Sequence, residues 1–193
     1  MCNLYRLEKG PDAIRKLFDE VQIPLSFPEG IPNFEPRDVH ITDRAPIILA
    51  SEDTGAAQLV ERRWSWPGPT GKPVYNLRSE GREFPAGRCL VLAEGFYEYT
   101  APADPKQKRK DRWLITPSGG ETLAIAGFVR DTPGIGEAFS LLTTVPSPDV
   151  APYHSRQVVL LRPANWTRWL DSPDPVADLL QPLPVGSLKV EAA

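Results

Sequence analysis

The apolar positions Ile14, Leu17, Phe18 and Val21 recur at helical spacing behind Pro11, whose fixed φ suits a first turn, and they predict a helix packed on a core. Most other segments alternate with the shorter period of strands. Asn3 to Leu7 reads as a first strand, and Asp38 to Ile41 and Pro46 to Ala50 as strands about a Thr42-Asp43-Arg44 turn. Gln58 to Trp64 sets Leu59, Glu61 and Arg63 against Val60, Arg62 and Trp64. The Pro-rich passage from Pro24 to Pro36 predicts a loop, and Trp66 to Gly71 interrupts before an extended piece from Val74 to Leu77. One or two helical turns are expected from Ser79 to Phe84.

Cys89 to Ala93 is a continuous apolar run and predicts a buried strand, with Cys89 an inert core residue. Phe96-Tyr97-Glu98-Tyr99 is rich in strand-forming aromatics, and Lys106 to Lys110 reads as a solvated hairpin tip before a strand from Trp113 to Thr116. Leu123 to Val129 and Ala138 to Val145 continue the β pattern across Pro133-Gly134-Ile135-Gly136. Pro146 to Tyr153 is a loop or short helix that delivers His154, and Val158 to Leu161 is a further strand. Two short helices, Pro163 to Leu170 and Pro175 to Leu180, and a last strand from Ser187 to Val190 complete the chain. Strands outnumber helices, and few helices stand where parallel crossovers need them. The expected fold class is α+β: a largely antiparallel, curved or barrel-like sheet flanked by short helices, in a single domain over 1–193.

Composition narrows the function classes. With 41% hydrophobic and 24% charged residues the chain is globular rather than disordered. No apolar run approaches the roughly 18 residues of a membrane span, and no signal sequence is recognisable, so a cytoplasmic protein without membrane association is expected. Two cysteines make no disulfide framework, and two histidines, His40 and His154, give no closely spaced ligand cluster. No metal and no cofactor are expected. The net charge of -3 gives no global attraction for nucleic acid, which leaves room for a local basic groove.

Candidate chemistry begins at Cys2. If Met1 is removed, Cys2 carries an α-amine with a pKa of about 7.7–8 and a thiol of about 8.5 on neighbouring carbons. The amine condenses with an aldehyde and the thiol closes a thiazolidine; alternatively the thiolate attacks a carbonyl with the amine as its base. The competing reading makes Cys2 a small apolar residue at the start of a strand. Two-residue alternation places Glu98 with Phe96 on one face and Tyr97 with Tyr99 on the other; either face is mostly aromatic, which desolvates Glu98 and raises its pKa, unless it points from an edge to water. His154 follows a Pro-rich turn and is either a proton shuttle or a structural histidine; His40 is taken as structural. Asn76 and Arg78 share one face of an extended chain, suited to a carbonyl and a phosphate, or else to a turn and a surface ion pair. Aromatic and basic residues interleave from Arg62-Arg63-Trp64-Ser65-Trp66 to Arg88, a pattern that suits stacked bases or a sheet with its tryptophans turned inward.

Taken together, Met1-Cys2, Asn33-Phe34-Glu35-Pro36, Asn76-Leu77-Arg78-Ser79-Glu80, Glu94 to Tyr99 and His154-Ser155-Arg156 resemble, in order and over nearly the whole chain, the SRAP family of SOS response-associated peptidases or abasic-site processing proteins. The resemblance implies that Cys2, exposed by loss of Met1, captures the aldehyde of an abasic site in single-stranded DNA as a thiazolidine crosslink. It further implies Glu98 and His154 as the acid/base pair, Asn76 as the group that positions Cys2 and the deoxyribose, and Arg78 as a phosphate ligand. Asn33, Trp64 and Arg156 join the expected DNA-binding set, and the peptidase label implies self-removal of Met1. A monomer is expected. The chain departs from the family with Asn3 and Leu4 where Gly and Arg are common, with Pro67-Gly68-Pro69-Thr70 in a shortened loop, and with Gln157-Val158 after Arg156, the pattern of a compact divergent branch.

Two other classes compete. An N-terminal-cysteine amidohydrolase of the glutaminase type would use Cys2 to form a thioester, although 193 residues leave no second, ammonia-accepting domain. A non-catalytic nucleic-acid-binding module would leave Cys2 incidental. A glutaminase assay and a denaturing gel with abasic DNA separate the three.

Overall fold

The computed structural model describes residues 2–53, 55–104 and 106–193. In chain order its elements are β1 (Leu4–Leu7), α1 (Pro11–Glu20), β2 (Leu25–Ser26), β3 (Arg37–His40), β4 (Arg44–Ala50), β5 (Ala57–Trp64), β6 (Trp66–Pro67), β7 (Pro73–Val74), β8 (Asn76–Arg78) and β9 (Arg88–Ala93). There follow β10 (Gly95–Thr100), β11 (Asp111–Pro117), β12 (Leu123–Thr132), β13 (Gly136–Thr144), β14 (Gln157–Val158), β15 (Leu160–Leu161), α2 (Trp166–Asp171) and β16 (Leu188–Ala192).

The larger sheet runs β14-β13-β12-β9-β4-β5-β2, with antiparallel neighbours from β14 through to β5. It closes on itself because β13 also pairs with β5, Phe139 opposite Trp64, so that β5, β4, β9, β12 and β13 form a barrel. Five strands cannot alternate in direction all the way round a ring, and the closing β13–β5 pair is the parallel one. A second sheet, β16-β11-β10-β1-β3, lies beside it. Trp64 joins the two: wholly buried, its indole stacks near-parallel on Phe139 at 6.5 Å and tilts against Tyr5 of β1 at 5.2 Å.

The helices cover the barrel by their predicted apolar positions. Ile14 and Phe18 of α1 are fully buried, and Phe18 stacks on Trp166 of α2 at 5.3 Å. The two buried indoles of α2 satisfy strand carbonyls, Trp166 Nε1 donating to Leu161 O and Trp169 Nε1 to Cys89 O. Cys89 faces Gly127 across the β9–β12 pair, where a Cβ would come within 2.7 Å of its sulfur; the glycine makes room for the thiol. Cys89 is thus packed as the apolar run predicts.

The α+β, largely antiparallel expectation holds, with local corrections. Ser79 to Phe84 contains no helix: Arg82 N–H returns to Ser79 O in a turn whose Gly81 has φ 70°, a conformation that ends any helical path. The predicted strand Val158 to Leu161 divides into β14 and β15, which pair with β13 and β12 respectively. The last helix is a single 3-10 turn, Ala177–Leu180, and the loop after Pro24 includes β2, which pairs in parallel with β5.

Candidate functional site

Cys2 lies two residues before the start of β1, and the β1–β10 pairing, Tyr5 opposite Phe96, runs it alongside the strand that carries Glu98. Its backbone carbonyl accepts a 2.7 Å hydrogen bond from Asn76 Nδ2, and its thiol, 1% exposed, donates to Leu4 O at 3.3 Å. Burial pushes the thiol pKa up to about 12, and the negative charge of Glu98 adds to the rise. Asn76 reaches Cys2 because β8 pairs in parallel with β13 at the barrel rim. The Asn76 Oδ1 is buried and has no hydrogen-bond partner among the described residues, an open acceptor on the same amide that holds Cys2.

Glu98 is 1% exposed, as its place between Phe96 and the aromatic neighbours of β10 suggests. Burial raises its pKa, against an opposing pull from His154. His154 Nε2 lies 4.0 Å from Glu98 Oε2, and the imidazole is partly open to solvent. Its Nδ1 is 3.0 Å from both the amide nitrogen and the carbonyl oxygen of Arg156. A neutral ring accepts from that N–H with its proton on Nε2; a protonated ring donates to that carbonyl. The imidazole therefore has a partner in either charge state without turning over.

The raised pKa of Glu98 carries a stability consequence. The folded protein holds the Glu98 proton more tightly than the unfolded chain, whose glutamate pKa is about 4.3, so the associated stability is present below that value and lost as pH climbs through the folded value. The Glu98→Gln protein, neutral at every pH, is expected to gain in Tm relative to wild type as pH is raised from about 4 toward neutrality. Thermal melts at a series of pH values test this, and a Tm difference independent of pH is the contrary result.

The remaining expected residues separate. Arg156 is a clamp: its guanidinium grips Glu80 with two bonds of 2.6 and 2.8 Å and also donates to Thr143 O and Oγ1. This ties the His154 loop to β13 and to the turn after β8, and it neutralises the charge that a phosphate would need. Trp64 lies in the core with no face open to a base, which corrects its assignment to DNA stacking. Its neighbour Arg62 is occupied by Glu29 and Glu137, each at 2.7 Å, so the interleaved stretch from Arg62 to Trp64 is the inward-tryptophan sheet and not a nucleic-acid surface. Arg78 and Asn33 are both exposed, and Arg78 continues β8 two residues beyond Asn76. Glu80 and Thr143 were given no role by sequence reasoning; Glu80 stood within the quoted motif, but only folding pairs it with Arg156. Among the described residues no group of three or more His, Cys, Asp or Glu is placed to hold a metal ion, and no helix is long and apolar enough to cross a membrane.

The family model for SOS response associated peptidase (SRAP) matches residues 1–192. The chain belongs to the SRAP family. Solved structures share this SRAP fold. A protein from Bordetella bronchiseptica superposes with a TM-score of 0.75 at 21% identity, covering 100% of this chain and 99% of that one. A protein from Bacteroides thetaiotaomicron gives 0.72 at 17% identity, with 99% and 91% covered. A phage-related protein from Bordetella bronchiseptica gives 0.72 at 20%, with 100% and 94% covered. No curated protein matches the chain. Membership of the SRAP family associates the chain with the SOS response, DNA damage and DNA.

Proposed function

We propose that this SRAP protein, acting as a single domain, captures abasic sites in single-stranded DNA through Cys2 after removing its own first residue. The observation that carries the reading is the convergence of the Asn76 amide on the Cys2 carbonyl with buried Glu98 facing His154 beside it. A thiol held near pKa 12 is a poor nucleophile toward an aldehyde at neutral pH, so aldehyde capture waits on the α-amine that loss of Met1 exposes. Freeing the α-amine supplies the first nucleophile.

The amine adds to the aldehyde of the ring-opened deoxyribose to give a carbinolamine. Glu98 in its protonated form, which burial favours, donates to the departing hydroxyl, and water leaves as the imine forms. The Cys2 sulfur then adds to the imine carbon while its proton passes to the nitrogen, through Glu98 or His154, closing the thiazolidine. One water is lost overall and no oxidant or reductant is required. Asn76 Nδ2 fixes the Cys2 carbonyl, and its orphaned Oδ1 is an acceptor for the amine or for a sugar hydroxyl. Exposed Arg78 meets a flanking phosphate. Incubation with single-stranded DNA bearing one abasic site, followed by a denaturing gel, is expected to show a shifted band; glutaminase activity without a band would favour an amidohydrolase instead.

The clamp makes its own prediction. Arg156→Lys keeps the charge but loses the two-pronged grip on Glu80, letting the His154 loop drift. Adduct formation is expected to slow by about 10- to 100-fold, while affinity for lesion-free single-stranded DNA stays at the wild-type value. Weakened lesion-free binding with an unchanged crosslinking rate would instead make Arg156 a phosphate ligand.

A further inference from the structure

The β10–β11 hairpin carries Glu98 at its base and a cluster of cations at its tip. Glu98 pairs directly with Trp113, so the two side chains rise from the same face of the sheet. The Trp113 ring meets Tyr153, the residue before His154, at 4.8 Å, and both aromatics are partly exposed. Beyond them, Lys106, Lys108, Arg109 and Lys110 are exposed, and among the described residues none of their side chains makes an ion pair. From residue 101 to residue 112 five cationic side chains stand against two carboxylates, in a chain whose net charge is -3. Of the two carboxylates, Asp111 is occupied by Gln107 Nε2 and Asp104 by the Lys106 amide. Between the tip and the end of β16 lies an open groove of about 700 Å³ lined by Tyr99, Arg109, Lys110, Arg112 and Trp113.

We propose that this hairpin and groove are a second nucleic-acid contact, which holds the strand flanking the lesion. The inference rests on the reading that the partner is single-stranded DNA. Trp113 lines the groove and also touches the residue beside His154, so it links the basic tip to the Cys2 corner through an aromatic platform. Planar rings beside free cations suit successive bases and phosphates of a single strand. Charge complementarity selects a polyanion, since the rest of the chain is acidic on balance.

The test uses the whole protein and a fluorescein-labelled single-stranded oligonucleotide without any lesion, followed by anisotropy over a salt series. Each phosphate contact contributes about 0.7 to the slope of log affinity against log salt. The fourfold variant Lys106→Gln, Lys108→Gln, Arg109→Gln and Lys110→Gln is expected to flatten that slope by about 1.4 or more, with the loss of at least two contacts. Trp113→Ala is expected to weaken binding about tenfold with the slope unchanged, which separates stacking from charge. The four polar changes are on an exposed tip, and an unchanged Tm confirms that the variant is folded. A wild-type slope and affinity in the fourfold variant overturn the proposal, and loss of binding only to polyglutamate would assign the patch to an acidic protein. A crosslinking gel with abasic DNA, run in parallel, keeps the two readings apart: a band that forms normally while the slope stays fixed sinks only the hairpin, and a missing band with a flattened slope sinks only the crosslink.

Discussion

Replacement of Cys2 by Ala is expected to abolish the denaturation-resistant adduct with abasic single-stranded DNA, not merely to slow it. The thiazolidine needs both the nitrogen and the sulfur of one residue. With alanine, in a form from which Met1 has been removed, the amine still forms an imine, but nothing closes the ring, and the imine is lost to hydrolysis during denaturation. Borohydride separates the two steps, because it reduces the imine to a stable secondary amine: the Cys2→Ala protein is expected to be trapped by it and invisible without it. A form with an N-terminal tag, whose Cys2 nitrogen stays in a peptide bond and whose thiol burial keeps a weak nucleophile, is expected to give no band under either condition. Full reactivity of the tagged form would refute the α-amine chemistry. Asn76→Ala, which frees the Cys2 carbonyl, is expected to weaken the reaction without abolishing it, since in the proposed reaction Asn76 holds Cys2 in place and supplies no bond.

Loss of the Glu98 carboxyl is expected to have the next largest effect. Glu98→Gln keeps the size of the side chain but can neither release nor take up a proton, and acid–base groups of this kind contribute about 10²- to 10⁴-fold. The pH profile gives the sharper readout. Because burial raises the Glu98 pKa, the wild-type rate of imine formation is expected to fall as pH rises through that value and the acid is lost. The glutamine variant lacks that limb. A variant with the same descending limb as wild type would exclude Glu98 as the acid and turn attention to His154, whose Nε2 lies 4.0 Å away. The same substitution is expected to stabilise the fold toward neutral pH, so a slower enzyme with a higher Tm is the joint signature of a buried carboxyl kept for chemistry rather than for packing.

Much of this was legible along the chain because it depends on near neighbours. The spacing of Ile14 and Phe18 gave the buried face of α1, and the apolar run through Cys89 gave a strand buried along its whole length. Alternation within Phe96-Tyr97-Glu98-Tyr99 placed Glu98 among aromatics but left open an edge strand facing water; the pairing of β10 with both β1 and β11 decided that it is buried. Tyr97 is buried as well, because Arg6 and Arg112 lay their guanidinium groups over its ring, one from a strand 91 residues away.

Other features are set by which strands meet, and local periodicity carries no record of that. Barrel closure through Phe139 and Trp64 turned a tryptophan flanked by arginines into a core residue, since a strand's two faces look alike in sequence until the sheet curls and encloses one of them. Arg156 reads as a DNA contact until Glu80, 76 residues earlier, is brought against it. The Cys2 corner exists because β8 docks on β13 and carries Asn76 across 74 residues to the start of the chain. Short-range alternation and side-chain chemistry were enough for most of the elements, for a glutamate set among aromatics and for the order of the candidate groups along the chain. Tertiary structure alone decided which cations stay free, which aromatics keep a face to solvent and how deeply the Cys2 thiol is buried, because these depend on long-range pairing and on the desolvation that follows it.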